Sequence, residues 1–226
     1  MKANPICGQH LLALLTVALL LGGCATRQPY DYSTFKEARP TSILVLPPLN
    51  SSPDIKATYS MLSQTTAPLA ESGYYVFPVT LVDETFKQNG LTTPVDIHSI
   101  SISKLREIFG ADAALYINVK QYGTSYIIIS SETRVTAEAK LVDLRSGKTL
   151  WAGAATASSA EGDSNNGGLI GMLVKAAIRQ IIETVSSQGH VIAAKTSARL
   201  LTAGQPNGIL YGPRSPKYLK EGVPAQ

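Results

Sequence analysis

Residues 21–24 read Leu-Gly-Gly-Cys at the close of an apolar run, and in this 226-residue chain that spacing prescribes a covalent reaction. The thiol of Cys24 is the atom that would take a diacylglycerol. Leu21, Gly22 and Gly23 would be the recognition residues of the signal peptidase, the two glycines letting the chain lie extended in its cleft. Upstream lie a short polar start with Lys2 and a leucine-rich stretch from Leu11 to Leu21. That stretch is about half the ~20 residues a helix needs to cross a bilayer, so residues 1–23 read as a secretory signal peptide ending in a lipobox. On residues alone, the alternative is an ordinary secretory signal followed by an incidental cysteine.

The second group with chemistry to offer is Tyr211-Gly212-Pro213-Arg214-Ser215-Pro216-Lys217-Tyr218. Tyr211, Arg214, Lys217 and Tyr218 place two aromatic rings and two cations on a stiff Pro/Gly backbone. Such a segment orders at low entropic cost and suits extended docking onto a groove, in its own domain or a partner's. On this reading residues 204–226 contribute to assembly, and their deletion leaves the stability of the domain nearly unchanged; an inert tail is the alternative.

Catalysis has little to work with. Cys7 leaves with the leader and Cys24 is lipidated, so no thiol remains for a disulfide, a metal or a nucleophile. Of three histidines, His98 and His190 survive processing, and neither has a Ser elbow or a carboxylate at a telling spacing. Asn166-Gly167-Gly168 lacks the Gly-Lys-Ser/Thr of a phosphate loop. Asp83-Glu84 and Glu161/Asp163 are too few for a hard-cation site and read as solvated charges. No cofactor, metal, catalytic residue or small-molecule substrate is expected. The net charge of +4 falls by one when Lys2 leaves, and no run of Lys or Arg suggests nucleic acid.

These groups need elements to hold them. Ala25 to Pro40 has no apolar period and reads as a tether, so residues 24–40 form a lipidated linker reaching on the order of 50 Å. A single domain is expected over 41–203. Ile43 to Leu46 reads as a buried central strand stopped by Pro47-Pro48. A helix is expected over Ile55 to Glu71, with Pro68 kinking its last turn, then a strand at Tyr74 to Phe77 and a helix at Val79 to Gln88. A loop through Thr92, Pro94 and His98 leads to a short helix capped by Ser101 or Ser103 and ending at Phe109. The second half reads as a strand from Ala113 to Tyr122, a turn at Gly123-Thr124, a long strand to Val142, a tight turn at Arg145 to Lys148 and a returning strand with Trp151. A loop over 158–168, a helix from Ile170 to Val185 and another from His190 to Leu201 complete the pass. The expected class is α/β.

Several stretches together resemble one family: ILVLPPLN from Ile43, PLAESGYYVFPVTLVDETFKQNG from Pro68, FGADAALYINVKQYGTSY from Phe109, LVDLRSGKTLWAG from Leu141 and YGPRSPKY from Tyr211. They are similar to the bacterial lipoproteins typified by a neisserial genome-derived antigen. More distantly the order of motifs resembles the curli-export lipoprotein, the penicillin-binding-protein activator lipoprotein and the amino-terminal domain of TolB. The resemblance implies a single-domain α/β sandwich, a mixed sheet with helices packed on it, and a non-enzymatic subunit of an envelope complex for export or surface assembly. Its implied partners are other envelope lipoproteins such as a curli-export-like one; the lipobox itself makes the membrane a partner through the lipid anchor, and a homo-oligomer is a further expected association. By resemblance to lipoproteins of two-membrane bacteria, Ala25 after the cysteine, where an inner-membrane signal would have Asp, implies the outer membrane, facing the periplasm. A regulator of a wall-synthesis enzyme and a hydrolase of envelope polymers are the alternatives.

Overall fold

The computed structural model describes residues 30–127, 130–161 and 188–220. The helix expected over Ile170 to Val185 and residues 1–29, with Leu21, Gly22, Gly23 and Cys24, lie outside them. Within the described residues, β1 (Ser42–Val45) is the apolar run that sequence places at the centre, and Ile43, Leu44 and Val45 are all fully buried. Burial on both faces is what a parallel strand between helical layers demands. It pairs in parallel with β3 (Tyr75–Val76) on one side and β4 (Ala113–Ile127) on the other. Pro47 and Pro48 cannot donate to the ladder, so the chain leaves β4 and rejoins it as β2 (Leu49–Asn50), also parallel.

Beyond β4 the sheet turns antiparallel through β5 (Ser130–Asp143) and β6 (Thr149–Ser158). The order is β3-β1-β4-β5-β6, with β2 beside β4, giving a six-stranded mixed sheet. The architecture is therefore mixed α/β. Gly123 forms no turn: β4 continues to Ile127, and Gly123 pairs with Arg134. A bulge between Val119 and Gln121 shifts the register there. It keeps both Val119 and Tyr122 on the buried face although they are three apart.

Helices cover both faces. On one, α4 (Val79–Gln88), α5 (Pro94–His98) and α6 (Ile102–Phe109) place Val82, Phe86, Ile97 and Leu105 against Leu44, Leu46 and Ala114. The short α5 stands where a loop was expected; Thr93 caps it by accepting from Asp96 N, and Pro94 occupies its first turn. On the other face lies α7 (Gln188–Leu201), whose buried residues Ile192, Ala193, Thr196, Ser197, Leu200 and Leu201 form one stripe. The single helix expected over 55–71 is two, α2 (Ala57–Ser63) and α3 (Thr66–Glu71). The break at Gln64-Thr65 moves Pro68 into a first turn, where its missing N–H costs nothing.

Two boundaries also change. Asp31 to Gln226 form one unit. The expected tether contains α1 (Ser33–Ala38), with Phe35 buried, so the domain starts before residue 41. The segment after 203 carries buried Gly208, Ile209 and Gly212 and is packed into the same unit.

Candidate functional site

The C-terminal segment is a strap, and backbone chemistry fixes its path. Beyond α7, Ala203 N donates to Ser72 Oγ (2.8 Å), and Trp151 Nε1 donates to Asn207 O (3.0 Å). Tyr74 OH donates to Leu210 O (2.6 Å), Gly212 N to Ser72 O (2.8 Å) and Arg214 N to Gly73 O (3.0 Å). The strap thus runs along Ser72-Gly73-Tyr74, where α3 hands over to β3. Only glycine fits this crossing. Gly73 has φ of +97°, and a Cβ there would lie 2.5 Å from Ser215 N, while one on Gly212 would lie 2.5 Å from Gly73 O.

The four residues singled out from sequence all sit on this strap, which docks on its own domain. The Arg214 guanidinium stands over the ring of Tyr75 (5.4 Å to the centroid) and the Lys217 ammonium over that of Tyr211 (5.4 Å). Tyr211 and Tyr218 join α1 in walling a cavity of about 220 Å³. Phe35 and Tyr74 supply further rings, and Lys36 and Arg39 are the charged residues of its lining. Sequence reasoning missed the α1 half. The available signal was the aromatic pair Tyr32 and Phe35, three apart and so on one helical face, whose rings meet edge to face at 6.5 Å.

The histidines are engaged elsewhere. His190, at the start of α7, bridges to α2: its Nδ1 lies 2.9 Å from Ser60 Oγ and its Nε2 2.7 Å from Gln64 Nε2. Tyr122 OH donates to the same Ser60 Oγ (2.8 Å). Both ring nitrogens of His190 are thus hydrogen-bonded to polar side chains of Ser60 and Gln64, and no carboxylate is among these partners. The trio fastens α7, α2 and β4 together. His98 Nε2 donates to Pro47 O (2.9 Å), and burial holds its pKa below the usual imidazole value.

Two carboxylates also have defined work. Asp112 Oδ2 accepts from Thr41 N and Oγ1 and from Ser42 N and Oγ, clasping the start of β1 to the start of β4. Burial pushes its pKa up, but those bonds outweigh it and hold the carboxyl below its ordinary range. Asp143 does the same for the β5–β6 turn, accepting from Ser146 N and Oγ. Asp83 pairs with Lys87 (2.6 Å) and Glu161 with Arg199. Among the described residues no three His, Cys, Asp or Glu side chains gather as a metal ion would require.

The family "Putative lipoprotein GNA1162-like" matches residues 30–214, the domain and the strap as far as Arg214. The chain belongs to the GNA1162-like lipoproteins. A lipoprotein of Neisseria meningitidis serogroup B is 50% identical over 207 residues, covering 90% of this chain and 95% of that protein. The crystal structure of lipoprotein GNA1162 from N. meningitidis superposes with a TM-score of 0.52 at 57% identity, over 64% of this chain and all of that one. The LpoB C-terminal domain from Salmonella enterica gives a TM-score of 0.39 at 17% identity, over 57% of this chain and 98% of that one, too remote to bear on function. For this GNA1162-like chain, no helix among the described residues is long and apolar enough to cross a membrane.

Proposed function

We propose that this chain is a lipid-anchored subunit of the outer membrane that works by binding, not by catalysis, within an envelope complex for export or surface assembly. Cleavage before Cys24 and acylation of its thiol supply the anchor, and several acyl chains together hold firmly where one alone is marginal. Ala25 in place of Asp supports passage to the outer membrane, with the domain in the periplasm. Binding is supported above all by the strap, which spends its backbone on Ser72 and Gly73 and so holds Tyr211, Arg214, Lys217 and Tyr218 in place. Preorganised rings and cations are the groups that most often anchor interfaces. Other envelope lipoproteins, a curli-export-like one among them, are the partners this reading favours.

The test is Cys24→Ala with membrane fractionation, joined to purification of the parent in mild detergent. The variant should build up as precursor in the inner membrane, and the parent should co-elute with other envelope lipoproteins. A variant held in the outer membrane as firmly as the parent refutes the anchor; a parent that elutes alone refutes the complex.

A further inference from the structure

The cavity between α1 and the strap has an apolar body and a basic mouth. Its walls are the rings of Phe35, Tyr74, Tyr211 and Tyr218 with Leu210 and Pro40, and among the described residues its lining contains no carboxylate. Lys36 and Arg39 are exposed beside it. Among the described residues the ion-paired cations are Lys87, Lys104, Lys120, Arg134, Arg145 and Arg199, which leaves Lys36 and Arg39 without a carboxylate. Leu219, also in the lining, is 58% exposed, an apolar side chain presented to solvent between the exposed cations Lys217 and Lys220. An apolar recess whose cations have no carboxylate partner among the described residues, with an apolar residue projecting among lysines, complements an amphiphile carrying one anion.

We propose that this cavity binds an anionic phospholipid of the membrane, its phosphate on Lys36 and Arg39 and the adjoining acyl or glycerol portion against Tyr211, Tyr218 and Leu219. At about 220 Å³ the recess is below the ~300–1,000 Å³ of sites that enclose a drug-sized molecule, and it suits one end of a lipid whose remainder stays in the bilayer. Covalent reach favours the membrane as the source. This step rests on Cys24 being the anchor: eight residues lie between it and Ser33, and whatever their conformation the nine steps span at most about 30 Å. The α1 wall is thereby confined to the neighbourhood of the leaflet. The site adds a second, reversible membrane contact to the covalent one and would orient the domain, rotating the strap to a fixed height above the surface.

The experiment uses the unlipidated mature chain, residues 24–226 with Cys24→Ser, and measures partition onto vesicles of phosphatidylglycerol in phosphatidylcholine and of phosphatidylcholine alone. Binding to the anionic vesicles is expected to weaken about thirtyfold in the double variant Lys36→Gln with Arg39→Gln, as two basic residues at an anionic surface imply. The control Lys56→Gln with Lys104→Gln removes the same charge elsewhere and should change it little. Both pairs are exposed and should keep the parent's melting temperature. Monomeric dihexanoyl phosphatidylglycerol should shift the ring resonances of Tyr211 and Tyr218, and inorganic phosphate should not. No binding to anionic vesicles, equal loss in the two double variants, or equal shifts with phosphate alone each overturns the proposal. Because this chain carries no lipid, those results leave the Cys24 fractionation test to decide the anchor separately.

Discussion

His98 lies where α5 meets the bend after β1, facing the Pro47 carbonyl, the Tyr116 ring, perpendicular to its own with centroids 5.2 Å apart, and, beyond it, Lys140. Burial, with Lys140 adding to it, holds the folded pKa below that of the free imidazole. Folding therefore favours the neutral ring. The associated stability is fully present above the unfolded value, about 6.5, and is lost as pH falls below it toward the folded value. Asp112 and Asp143 have folded pKa values held down, so their contribution is present above about 3.9 and lost as pH drops through the folded values. Thermal melts against pH should show a shallow loss starting near 6.5 and a steep one below about 4. His98→Gln keeps a donor for Pro47 and should abolish the first stage alone; a first stage that persists in the variant assigns it to another group. Asp112→Ala frees four donors at the junction of β1 and β4 and should cost about 2 kcal/mol at neutral pH in urea unfolding.

At the scale of elements, the strap is the part whose removal tells most. Deleting residues 204–226 exposes the pocket of Ile209 and strips a partner from Trp151 Nε1 and Tyr74 OH, each buried or half-buried. Together these losses should lower stability by about 3 kcal/mol or more, read as a fall in the urea midpoint. An unchanged midpoint would return the segment to the role of a detachable tail. Gly73→Ala should give a smaller loss of the same kind, since its Cβ meets the backbone of the strap. The sequence left open whether the strap docks at home or on a partner, because every one of these bonds has a backbone atom of the strap at one end, Ala203 N, Asn207 O, Leu210 O, Gly212 N or Arg214 N, and such atoms carry no side-chain signature. The same holds for Gly123, whose residue type suggests a turn but whose pairing with Arg134 is set by the partner strand. What was legible rests on side-chain period: the apolar run of β1, the alternation of Val135, Ala137, Ala139 and Leu141 on β5, and the stripe of α7. The cavity combined both cases, with Tyr211 and Tyr218 readable as a cluster while Lys36 and Arg39 lay in what resembled a tether.

For the whole molecule the question is what holds the folded unit together. Both cysteines, Cys7 and Cys24, precede the folded unit, one in the expected leader and the other expected to carry lipid. Among the described residues the order is carried by the two helical layers on the sheet, by carboxylate clasps such as Asp112, and by closure of both ends, α1 and the strap, on the same unit. That closure explains why the unit runs beyond the apolar stretch from residue 41 to 203 in both directions. It also predicts how the mature chain unfolds. Melts of the unlipidated mature chain with and without reductant, and with and without chelator, should superimpose. A bridge or structural metal contributes several kcal/mol, so its loss would displace the midpoint by many degrees. A drop of even several degrees with either reagent would show that a covalent or metal link, formed between chains or through residues outside those described, carries part of the stability assigned here to packing.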